Sequence, residues 1–203
     1  MTVVEVFADV ACPFTHVGLK RFVRRRDELG RGDVKLLVRA WPLELVNGTP
    51  MDPDFIAEEI DDIRNQIGGE FFTGFDRSSF PSTSVPALAL AAAANARDLE
   101  TGEAVSLHLR DLLFEQGVDI SDRVVLSGIA SDHGLDVDLN DDGAVLADHA
   151  EGAERAVIGS PHFFTPGGDF FCPALDVSRS PDGHLAVTAD PVAFDRFMDA
   201  CLS

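Results

Sequence analysis

Cys12, in the segment Ala11-Cys12-Pro13-Phe14-Thr15-His16, is the residue of this 203-residue chain best suited to nucleophilic chemistry. A β-branched, apolar run at 3–8 precedes it and an amphipathic stretch at 17–29 follows, which predicts a strand ending in a thiol at a helix N-terminus. Unpaired backbone N–H groups and the positive end of the helix dipole converge at such a point and favour thiolate over thiol. Pro13 fits the first turn, where its missing N–H costs nothing. The expectation is a Cys12 pKa below the ~8.5 of a free thiol. The competing reading is a buried cysteine serving as a small core residue beside a helix cap.

Thr15 lies three residues on, one helical turn below the sulfur, where its hydroxyl would stabilise a charge but not resolve a mixed disulfide. His16, four residues from Cys12, shares that helix face. Charged, it would depress the thiol pKa; neutral, it would pack. The other cysteines, Cys172 and Cys201, are too few and too scattered for a disulfide framework, and no Cys/His cluster has zinc-ligand spacing, so no metal site is expected. His108, His133, His149 and His184 are expected to face solvent.

These residues need a scaffold, and 45% apolar content allows a core without covalent staples. Residues 3–8 and 34–40 read as strands joined by a helix that ends at Gly30 and Gly32, a parallel βαβ unit. After Trp41-Pro42 the pattern turns helical. Asp52-Pro53 opens a helix through Ile56, Ile60, Ile63 and Ile67 that stops at Gly68-Gly69, and further helices are expected from Ser84 to Leu99, over 103–115, after Asp122, and over 141–157. The alanine run at 91–94 reads as tight helix packing. Residues 161–165 and 169–172 flank Pro166-Gly167-Gly168 as a hairpin, and Asp190-Pro191 caps a last helix through Phe194, Phe197 and Leu202. The fold class is α/β: a thioredoxin fold with an all-helical insertion between the N-terminal βαβ unit and the C-terminal ββα unit. Residues 1–45 and 158–203 would form the thioredoxin-like domain and 46–157 the insertion.

The 16 Lys and Arg against 35 Asp and Glu leave a net charge of −19, which disfavours nucleic acid and anionic membrane as partners. The N-terminus has no signal-peptide pattern and no apolar run reaches membrane-spanning length, so a cytoplasmic location is expected.

The chain resembles the DsbA-like group that includes FrnE-type oxidoreductases, 2-hydroxychromene-2-carboxylate isomerases and kappa-class glutathione transferases. The resemblance rests on Asp9-Val10-Ala11-Cys12-Pro13-Phe14 leading to Gly18-Leu19-Lys20-Arg21-Phe22, on Ser84-Val85-Pro86-Ala87, and on the run from Leu113-Phe114-Glu115 to Ile120-Ser121-Asp122. Gly159-Ser160-Pro161-His162-Phe163 resembles the family's cis-proline loop. The likeness implies that this loop would lie against Cys12, and that the Ser160 backbone would pair with an extended substrate as an added strand. It implies too that Pro13, Phe14, Ser160, Pro161 and His162 would bind substrate. Thr15 stands where the family usually has a second cysteine, and Cys172 where relatives often have glycine. Hairpin pairing would carry Cys172 beside Ser160-Pro161, as a resolving thiol or as a core residue.

The leading functional reading is a cytosolic thiol–disulfide oxidoreductase with Cys12 as its single nucleophile. The alternative is a glutathione-dependent type of transferase or isomerase, and a second alternative is a non-catalytic binding module. No permanently bound cofactor is expected, although a glutathione-like or mycothiol-like small thiol would complete the exchange. The expected partner is a thiol or disulfide substrate, peptide or small molecule, and a homodimer is compatible with the sequence.

Overall fold

The computed structural model describes residues 1–68, 70–181 and 185–202. Strands β1 (Thr2–Ala8) and β2 (Val34–Ala40) run parallel, with Thr2 opposite Val34 and Ala8 opposite Ala40. A parallel pair requires a crossover, and α1 (Pro13–Glu28) supplies it. A helical block follows: α2 (Leu43–Asn47), α3 (Pro53–Ile67), α4 (Val85–Arg97), α5 (Leu99–Gln116), α6 (Arg123–Asp132) and α7 (Gly143–Glu154). The chain then returns as the antiparallel hairpin β3 (His162–Thr165) and β4 (Gly168–Phe171), which completes a sheet of order β2-β1-β3-β4. Strands β5 (Leu175–Arg179) and β6 (Leu185–Ala189) form a separate two-stranded sheet before α8 (Pro191–Leu202). This is the thioredoxin fold with a helical insertion.

Strand β1 is central and buried on both faces. Alternation sends Val4, Val6 and Ala8 into one cluster with Phe22, Phe163 and Phe197, and Phe7 into another with Trp41 and Val157. Each aromatic ring buried in this way stabilises the fold by roughly 1.5–3 kcal/mol. On the second face α7 approaches so closely that a Cβ at Gly152 would stand 2.6 Å from the Trp41 ring. The inserted helices pack around Ile56, Ile60, Ile63, Leu88, Leu109 and Leu113 in a cluster they share with Val10, Val17 and Ala40 near the first βαβ unit and with Leu175 and Val187 nearer the C-terminus.

The structure shifts several expected boundaries. Helix α5 starts at Leu99 instead of residue 103, because the Asp98 carboxylate accepts the Thr101 N–H at 2.7 Å and caps a first turn whose Thr101 and Gly102 are poor helix formers. Helix α7 is shorter than 141–157. The five-residue α2 and the β5–β6 hairpin add to the expected elements. That hairpin docks onto α3 through side chains that satisfy its backbone: Leu185 N–H donates to Asp62 Oδ2 at 3.0 Å, and Gln66 donates to the Leu185 carbonyl at 2.8 Å and accepts from Val187 N–H at 2.8 Å. Gly68 ends α3 with a φ of 97°, while Gly69 and His184 lie outside the described residues.

Candidate active site

Cys12 is the N-cap of α1, with Pro13 in the first turn. The peptide between Ser160 and Pro161 is cis, and the loop it shapes lies on the cysteine: the Cys12 thiol donates to the Ser160 carbonyl at 3.3 Å. Ser160 Oγ accepts the Asp9 N–H at 2.9 Å and meets Thr15 Oγ1 at 2.8 Å. With one lone pair already accepting, the Ser160 hydroxyl keeps its proton for Thr15 or the sulfur. Helix spacing places Thr15 at the sulfur; the structure adds Ser160 as its partner.

The acidity of Cys12 runs against expectation. Only 2% of the residue is exposed, and burial, the largest influence, pushes the thiol pKa up. The Ser160 and Thr15 hydroxyls and the Thr15 N–H pull it down, and Asp9 pushes it up again. The resting residue is therefore a neutral thiol bonded to a carbonyl, seated among groups suited to a thiolate.

Two buried charges lie beneath it, and sequence pattern alone singles out neither. Asp9 Oδ1 accepts Ala11 N–H at 2.8 Å, while Oδ2 accepts Leu43 N–H at 2.7 Å and the Ser84 hydroxyl at 3.1 Å, so one carboxylate ties the end of β1 to α2 and α4. Burial still raises its pKa against those bonds. Arg110 of α5 is 2% exposed; it donates to Ser106 Oγ at 2.6 Å, to the Ser106 carbonyl at 2.9 Å and to the Asp9 carbonyl at 3.1 Å. The same Asp9 carbonyl accepts Cys12 N–H at 3.4 Å. Burial lowers the guanidinium pKa to about 10, with Asp9 opposing the fall, so Arg110 is a cation at neutral pH. The available signals are an Asp closing an apolar strand and an Arg on the buried face of α5 between Ser106 and Leu113.

Other candidates are placed elsewhere. His16 is 1% exposed, its Nε2 is 2.7 Å from Glu115 Oε1, and its ring packs against Phe72 and Phe114; burial lowers its pKa. It serves as a neutral core residue and pairs with α5 in place of the thiol. His162 Nδ1 accepts Ile158 N–H at 3.3 Å, which leaves Nε2–H to donate to Asp169 at 3.2 Å, and the ring stacks on Phe164. Both ring nitrogens are engaged behind the sheet, and His162 does not line the cleft that Cys12 borders. His149, expected in solvent, stacks on Trp41 with ring centres 4.9 Å apart.

Cys172 N–H donates to the Pro161 carbonyl at 3.0 Å, just beyond the pairing of His162 with Phe171, and its thiol lies within electrostatic reach of Cys12. The hairpin thus brings it to the loop, at the end of an edge strand, with a φ of 45° that explains how glycine would suit the position. Burial first, then the neighbouring sulfur, pushes its pKa up to about 12; no bond joins the two cysteines. Cys201, on α8, is wholly buried.

Cys12 and Ser160 border a cleft of about 410 Å³. Phe14 and Pro13 of α1 form one side, and Met51, Phe55 and Ile56 at the start of α3 face them. Among the described residues no metal-binding cluster exists and no helix is long and apolar enough to cross a membrane. The arrangement sets a thiol, a backbone acceptor and a largely apolar cleft side by side.

Residues 3–180 match the DSBA-like thioredoxin domain family. Among solved structures, a 2-hydroxychromene-2-carboxylate isomerase is similar at 13% identity and a TM-score of 0.60, over 83% of this chain and 88% of that one. A protein described as a protein disulfide isomerase from Nitrosomonas europaea is similar at 17% identity and a TM-score of 0.63, over 99% and 97% of the two chains. A probable DsbA oxidoreductase from Streptomyces coelicolor shares 21% identity at a TM-score of 0.55, over 80% of each chain. These likenesses concern the fold. No curated protein matches the sequence.

Proposed function

The chain belongs to the DSBA-like thioredoxin domain family, and from that membership we propose that it is a cytosolic thiol–disulfide oxidoreductase in which Cys12 is the single nucleophile. The observation that supports this reading is the Cys12 thiol at the N-cap of α1, 3.3 Å from the Ser160 carbonyl and at the border of the cleft. On loss of its proton to solvent, the Cys12 sulfur attacks a substrate disulfide. A Cys12–substrate disulfide forms, and the second half of the substrate leaves as a thiolate that takes up a proton. Thr15 and Ser160 hydroxyls and the Arg110 charge hold the sulfur anion in the meantime.

Resolution falls to a free small thiol that attacks the mixed disulfide and restores Cys12. Cys172 is a poor resolver at neutral pH because its pKa of about 12 leaves little thiolate. The test is incubation with a small symmetrical disulfide, followed by mass spectrometry of the Cys172→Ser protein. One adduct on Cys12, absent from Cys12→Ser and removed by added thiol, is the expected result. An unmodified Cys12 after prolonged exposure would overturn the reading.

A further inference from the structure

The cleft beside Cys12 is apolar, and its only charged side chains among the described lining residues are Asp52 and Glu59. No Lys, Arg or His lines it. Asp52 caps α3: its Oδ1 accepts the Asp54 N–H at 2.8 Å, so this helix end at the cleft is already covered by a carboxylate, while the N-terminus of α1 is taken up by the Cys12 sulfur itself. Glu59, deeper along α3, is 7% exposed and accepts from Arg179 at 2.8 Å. Burial pushes its pKa up to about 7 against the pull of Arg179. Arg179, outside the lining, also lies over the Phe55 ring, 4.9 Å from its centre, so this cation is engaged with Glu59 and Phe55.

We infer that the disulfide taken by Cys12 is an apolar small molecule carrying no negative charge near its sulfur atoms. This rests on the oxidoreductase reading and narrows it. A carboxylate-bearing thiol such as glutathione would bring its negative groups into an apolar chamber beside Asp52, with no free cation to receive them, and like charges brought together without solvent repel strongly. An aromatic or aliphatic body finds Phe14, Met51, Phe55 and Phe171. Glutathione-type substrates are therefore disfavoured at the step where Cys12 first attacks. The resolving thiol, which meets the mixed disulfide from the open side, is under less constraint.

Two aromatic disulfide reagents of matched size separate the possibilities: dianionic dithiobis(nitrobenzoate) and its neutral bis-carboxamide. Rates with Cys172→Ser/Cys201→Ser protein are divided by rates with mercaptoethanol, which removes the reagents' own reactivity. The expected normalised preference is roughly tenfold for the neutral reagent, reduced in Asp52→Asn/Glu59→Gln or, if that variant folds poorly, in Asp52→Asn alone, where asparagine keeps the cap. Equal normalised rates would overturn the inference and leave the oxidoreductase reading standing. A preference that persists undiminished in the variants would also overturn it, since the net charge of −19 would then account for the discrimination without the cleft. Failure of Cys12 to react with either reagent removes both readings.

Discussion

At the scale of the residue, the site sets burial against charge. A buried thiol ionises only where something replaces the water it has lost, and here that role falls to Thr15, Ser160 and the Arg110 cation on α5. Arg110→Met should therefore raise the pH at which Cys12 becomes reactive and slow its alkylation about tenfold or more at neutral pH. Arg110→Lys should recover part of that rate, whereas a purely structural role would lower thermal stability and leave the pH profile of alkylation in place. Thr15→Cys supplies the family's second sulfur one helical turn from the first. Under mild oxidant it should form a disulfide with Cys12, visible as a loss of two hydrogens by mass spectrometry, and it should resolve mixed disulfides without added thiol. Absence of that bond would mean the start of α1 differs from the geometry described.

At the scale of the element, α5 is fixed to α1 and to the 71–75 loop by one carboxylate. Glu115 accepts from Phe72 N–H at 3.1 Å, from Thr73 N–H at 2.9 Å and from the Thr73 hydroxyl at 2.7 Å, besides its contact with His16. Burial alone would raise its pKa, but these bonds together outweigh burial and hold it well below the usual carboxylate range. A carboxyl whose pKa is depressed on folding stabilises the fold above its unfolded pKa of ~4.3 and loses that contribution as pH falls through the folded value. Glu115→Gln should thus cost about 1–3 kcal/mol at neutral pH, with the deficit shrinking as pH falls below about 4, where the unfolded carboxyl takes up a proton before the folded one does. Urea titrations of both proteins at several pH values check this; a deficit independent of pH would mean the loss is one of packing.

At the scale of the whole molecule, the sheet and the inserted helices meet at the site, and each closes what the other leaves open. Phe197 of α8 touches Phe22, Phe163 and Phe170 across the sheet, so Phe197→Ala should destabilise the protein by roughly 3–5 kcal/mol. Calorimetry measures it, and a cost below about 1 kcal/mol would contradict the packing. The β5–β6 hairpin couples the C-terminal part of the chain to α3, the helix that forms one wall of the cleft. Gln66→Ala removes two of its bonds and should increase amide exchange in β6 while leaving that of β1 unchanged, because β1 is paired on both sides within the main sheet.

What the sequence determined by itself was everything that neighbours along the chain decide: a thiol at a helix cap from Cys12-Pro13, a parallel βαβ unit from its hydrophobic runs, a helical insertion, and the β3–β4 hairpin from Pro166-Gly167-Gly168. The second hairpin was also within its reach, since Asp182-Gly183 separates the alternating Leu175, Val177 and Leu185, Val187, a turn signal of the strongest kind. Tertiary structure decided the chemistry of the site. Ser160 reaches Asp9 across 151 residues and Arg110 reaches it across 101, and no periodicity records which polar groups will meet under a buried sulfur. A helix N-terminus alone argues for a thiolate, and that local argument is sound. It was overridden because desolvation depends on what the whole chain places over Cys12, a property of the packed molecule that the local neighbourhood of a cysteine does not contain.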